Sequence, residues 1–179
     1  MLDRAHAAAV QASQIVDAVP GSQRGAGIDL ATCVLRAASF SSSVSLALFR
    51  GTTGAPDAAL HEWSAIFHPA AGASADGEDG EREPMSPAGL GSASHELERT
   101  PPRPVPGLGS EAYWIGNSAF GALYVLVDHA YFRISVGGAG PLDTKLERSR
   151  QLAGDVLERL PDFLTRTTNP TPPPRGDSQ

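Results

Sequence analysis

Between His68 and Ser110 the chain holds seven Pro, seven Gly and seven Asp or Glu, but only Met85, Leu90, Leu97, Val105 and Leu108 as large apolar residues. Such a stretch cannot offset its ordering entropy, about 1–2 kcal/mol per residue for the backbone alone. Residues 68–103 are therefore expected to be a disordered acidic insertion rich in Pro and Gly. This divides the 179-residue chain into two apolar-rich segments, 1–67 and 104–164, that must share one core. The end of the chain carries the same signal: after Leu164 there is no large apolar residue, and prolines crowd positions 170–174. Residues 165–179 are expected to be a disordered tail.

Within the first segment, residues 2–19 are mostly helix formers, with Asp3 available as an N-cap and Pro20-Gly21 as a stop. Ile28, Leu30, Cys33, Val34 and Leu35 suggest a strand. Val44, Leu46 and Leu48 recur at the period of two that a half-buried strand requires. Leu60, Trp63, Ile66 and Phe67 recur at spacings of three and four, which predicts a short helix ending near His68-Pro69.

In the second segment, residues 112–115, 123–127 and 131–136 predict a three-stranded meander, turning at Gly116-Asn117-Ser118 and Asp128-His129. Pro141 then begins a helix striped by Leu142, Leu146, Ala153, Val156, Leu157 and Leu160, with Lys145, Glu147, Arg148, Arg150 and Glu158 expected to face water. The order α-β-β-α, insertion, β-β-β-α predicts a single α+β domain, an antiparallel sheet of about five strands with helices packed on it.

The chemistry that the sequence excludes is more definite than the chemistry it suggests. With a net charge of -6, the chain is a poor nucleic-acid binder. No apolar run reaches the roughly 18 residues of a transmembrane segment. His61-Glu62-Trp63-Ser64-Ala65 opens like a helical zinc-protease motif, but Ala65 stands where the second histidine is needed. Gly137-Gly138-Ala139-Gly140 lacks the Lys and Ser/Thr of a phosphate-binding loop, and Gly116-Asn117-Ser118-Ala119-Phe120 departs from a nucleophile elbow. The acidic run from Asp76 to Glu83 lacks calcium-loop spacing, and Cys33 is the single cysteine. With no convergent acid, base, nucleophile or metal set, the expectation is a non-enzymatic protein without metal or cofactor.

The segment Val105-Pro106-Gly107-Leu108-Gly109-Ser110-Glu111-Ala112-Tyr113-Trp114, followed by hairpins and a helix containing Leu152-Ala153-Gly154-Asp155-Val156-Leu157-Glu158-Arg159-Leu160, resembles small exported lipoprotein domains of unknown function from high-GC bacteria. Cys33 is similar to their strand cysteine. The resemblance is clearest over residues 104–164 and brings no catalytic residues with it. It implies a bacterial source, in keeping with Lys145 as the only lysine among many arginines, and a place in the cell envelope. The export signal and the lipid-bearing cysteine of those domains are not in this sequence, nor is the cysteine that usually precedes their first helix. Localisation therefore reads as cytoplasmic as written and as cell envelope if the true start lies upstream of Met1.

Binding of a ligand or partner is the expected function, through a sheet face or a cleft beside the insertion. Tyr113, Trp114, Tyr124 and Tyr131 are the candidate contacts, because aromatics on a sheet offer large area at low entropic cost. Trp114 is the expected fluorescence reporter. The alternative is a cytosolic interaction module whose insertion and tail act as flexible arms.

Overall fold

The computed structural model describes residues 2–25, 27–69 and 101–168, with side chains through Pro161. Its order is α1 (Arg4–Gln11), β1 (Ile15–Arg24), β2 (Ile28–Ala37), a 3-10 turn (Phe40–Ser42), β3 (Val44–Gly51), α2 (Ala58–Phe67), β4 (Arg103–Pro104), β5 (Glu111–Gly116), β6 (Phe120–Val127), β7 (Ala130–Gly137) and α3 (Leu142–Thr168). The strands make one antiparallel sheet in the order β1-β2-β3-β7-β6-β5-β4. The α+β class and the meander stand as expected, and the sheet has seven strands where about five were expected.

One added strand is β1, which begins inside the segment expected to be helical, residues 2–19, and takes its last five residues. The helix closes early: Ala12 takes the left-handed conformation (φ 48°, ψ 40°), and the N–H groups of Ala12 and Ser13 return to the carbonyls of Ala9 and Ala8. Ile15, Val16 and Val19 beyond it are β-branched, and β2 pairs with the strand from Ile15 to Arg24, with an irregularity at Val16. Pro20 does not stop a helix. It lies on an edge strand opposite Cys33, where a missing N–H is tolerated, and the neighbouring Ala18 N–H is taken by Asp17 Oδ1 at 2.7 Å. The other added strand, β4, is a two-residue pairing along β5, with Arg103 opposite Trp114 and Pro104 opposite Tyr113. Its prolines hide it from any strand pattern.

Two apolar layers sandwich the sheet. On one face α1 and α3 close over Leu35, Val44, Leu46, Leu48, Leu123, Val125, Phe132, Ile134 and Val136, with Leu152, Ala153, Val156 and Leu160 supplying the helical side. On the other, α2 sets Ala59 and Trp63 against Ala47, Phe49, Leu126 and Tyr131. Central β3 is thus buried on both faces.

Lys145, expected in water, is fully buried on α3. Its Nζ donates to the Ser118 carbonyl in the β5–β6 turn, and its burial, with the Arg148 charge beside it, lowers its pKa. α3 continues through Pro161 to Thr168, past the expected start of the tail at 165. Residues 70–100 and 169–179, which hold most of the expected insertion and tail, lie outside the described residues. Among the described residues no helix is long and apolar enough to cross a membrane.

Candidate functional site

β5 begins with Glu111, and the alternation of side chains along a strand puts Glu111 and Tyr113 on the α2 face while Ala112 and Trp114 enter the opposite layer. The last turn of α2 brings Trp63, Phe67 and its C-cap His68 over this face. The Glu111 carboxylate collects three donors: Oε2 accepts from Trp63 Nε1 at 2.8 Å and from His68 Nε2 at 2.9 Å, and Oε1 accepts from the Tyr113 hydroxyl at 2.9 Å. Partial burial pushes the Glu111 carboxyl up, but the bonds from His68, Trp63 and Tyr113 outweigh it and hold the pKa below the usual range. The same bond, seen from Tyr113, raises the phenol. Glu111 is therefore an anion at neutral pH, with its side chain still 33% exposed.

Around it the rings interlock. Phe67 stacks on Tyr113 with centroids 4.5 Å apart and meets Tyr124 edge-on at 5.3 Å. Trp63 lies tilted between Phe67 and Tyr131, and Tyr131 stacks on Phe49 at 4.4 Å. Tyr131 is buried, and desolvation, then the charge of and hydrogen bond to Glu62, drive its hydroxyl well above the usual phenol range.

The structure thus brings Tyr113, Tyr124 and Tyr131 to one face and sets Trp114 apart on the other. Tyr113 and Tyr124 are half-buried at the rim, whereas Tyr131 belongs to the packed interior. Trp114 is buried against Gly116 and Gly121, where a Cβ on Gly121 would stand 2.2 Å from the indole ring. It is a core residue far less suited to report on the rim than Trp63. Glu111 and His68 join the site without having been among its expected residues. A period of two from Tyr113 to Glu111 was the available signal for the first; nothing local marked the second, since the bond spans 43 positions.

A groove of about 240 Å³ lies beside the carboxylate, between the loop of residues 104–110 and the start of β5, with Glu111 and Tyr113 on its wall. The Gly107-Leu108-Gly109-Ser110 segment builds it. Gly107 and Gly109 have φ of 82° and 56°, and a Cβ on Gly109 would come within 2.2 Å of the Leu126 carbonyl oxygen. The next amide, Ser110 N–H, donates to that same oxygen at 2.8 Å.

The remaining motifs have structural employment. His129 pairs with Asp57 at the start of α2, away from Ser118. Asn117 Oδ1 accepts from the Ala119 and Phe120 amides to set the turn that contains Ser118. His6 pairs with Asp155, joining α1 to α3. Among the described residues no three His, Cys, Asp or Glu side chains come together as a metal site. No protein-family model, no curated protein and no solved structure matches this chain.

Proposed function

We propose that this chain is a non-enzymatic binding domain of the bacterial cell envelope whose ligand or partner docks at the Glu111 rim, over Tyr113, Tyr124 and the adjoining groove. The observation that carries the reading is the state of the Glu111 carboxylate. An ionised carboxylate offers about four acceptor sites, and three are filled from within the protein. The remaining one lies on a part-exposed anion next to half-buried aromatic rings, an arrangement that favours a cationic donor through charge, hydrogen bonding and the ring faces together. The envelope location rests on the resemblance of the segment from Val105 to Trp114 and is proposed on that ground alone.

Calorimetric titration with Nα-acetylarginine amide tests the reading. Saturable binding to the wild-type protein that is lost in Glu111→Gln supports it. Absence of saturable binding, or equal affinity in the two proteins, contradicts it.

A further inference from the structure

A second groove lies on the sheet face that bears α1 and α3, independent of the Glu111 rim. Arg24 is directly opposite Asp29 on β2, and Asp29 is directly opposite Arg50 on β3, so the three side chains share one face. Two residues along each strand, Ala31 and Leu48 belong to the apolar layer beneath α1 and α3. The charged row therefore continues the core face beyond its helical cover. There Ser22, Arg24, Asp29, Ala31, Leu48 and Arg50 line a groove of about 480 Å³, within the size range of small-molecule sites, about 300–1,000 Å³.

Its electrostatics run against those of the whole protein. The chain carries a net charge of -6, yet this groove holds two guanidinium groups against one carboxylate. Arg50 is anchored, with Nη2 donating to Asp29 Oδ2 at 3.2 Å and its side chain 26% exposed. Arg24 is not: its Nε stands 3.7 Å from Asp29 Oδ1, beyond hydrogen-bond range, and its side chain is 89% exposed. One guanidinium is held on the wall by a half-buried acid, while the other, in a looser ion pair with the same acid, stands exposed at the rim, above an apolar floor.

We propose that this groove binds a small organic anion with an apolar body, the anionic head on Arg50 and Arg24 and the body over Ala31 and Leu48. Arg50 supplies the fixed half of the head-group site and Arg24 closes onto it, since a guanidinium fork matches a carboxylate, sulfonate or phosphate equally.

The test is a fluorescence titration of the full chain with anilinonaphthalene sulfonate, followed by displacement with octanoate or octan-1-ol. The expected result is one saturable site from which octanoate, and not the neutral alcohol at equal concentration, displaces the dye. Arg50→Gln is expected to weaken dye binding about tenfold or more and Arg24→Gln about threefold, as for loss of a charge-assisted contact. Arg36→Gln, on the opposite face, and Glu111→Gln, at the other site, are expected to leave it unchanged. If Arg50→Gln fails to fold, Arg24→Gln decides, because so exposed a side chain cannot be needed for folding. No saturable binding, equal displacement by octan-1-ol, or an unchanged Kd in Arg24→Gln would overturn the proposal.

Discussion

The indole of Trp63 donates to Glu111 Oε2 at 2.8 Å, joining α2 to the first residue of β5 across 48 positions of sequence. Loop-closure entropy grows only slowly with length, so spanning so many positions costs this bond little. The bond fixes the carboxylate in place, so the rim is preorganised by the same contact that seats the helix.

Glu111 makes acid stability a readout of that contact. Its folded pKa lies below the unfolded value, so its contribution is fully present above the unfolded carboxyl pKa, about 4.3, and is lost as pH falls through the lower folded value. Glu111→Gln is expected to cost about 1–2 kcal/mol at pH 7. The gap between the two proteins should narrow as pH falls from about 5 to 3. Urea denaturation at each pH measures it, and a gap that stays constant over that range contradicts the assignment.

Burial, not ion pairing, is expected to hold α2 down. Trp63 is buried against Tyr131 and Phe67, and Trp63→Ala should cost about 3–5 kcal/mol by leaving a large cavity. His129 pairs with Asp57 at the surface, both side chains more than half exposed, and His129→Ala should cost less than about 1 kcal/mol. Thermal melts of the two variants side by side check the ordering.

Trp114 and Gly121 should behave as one unit. With the indole 2.2 Å from a virtual Cβ, Gly121→Ala is expected to destabilise by about 1–3 kcal/mol through overpacking. Trp114→Phe, which withdraws the outer ring, should recover part of that loss when the two are combined, giving a non-additive double-mutant cycle. Strict additivity would contradict the contact.

What the sequence made legible follows from range. Val44, Leu46 and Leu48 announced β3 because a period of two is visible within five residues, and all three are buried. Residues 2–19 read as one helix because Ala and Gln favour helix locally, while the strand over the last five of them depends on β2, a partner that no local pattern reveals. Lys145 misled for a similar reason: its charge says surface, but a carbonyl at Ser118, 27 positions earlier, receives its amine inside the protein. At the site, the rings of Tyr113 and Tyr124 could be named from the strand pattern. Their assembly with Phe67, His68 and Glu111 could not, since α2 and β5 meet only in three dimensions.

The central claim is that the rim around Glu111 is where this domain binds, and the two indole N–H groups separate that claim from its alternatives. In a ¹H–¹⁵N spectrum the Trp63 Nε1–H, bonded to Glu111, reports on the rim, whereas Trp114 belongs to the packed layer on the opposite face. Titration with Nα-acetylarginine amide should shift the Trp63 resonance saturably and leave the Trp114 resonance in place. A stationary Trp63 signal, or one that moves no more than that of Trp114, would contradict the account.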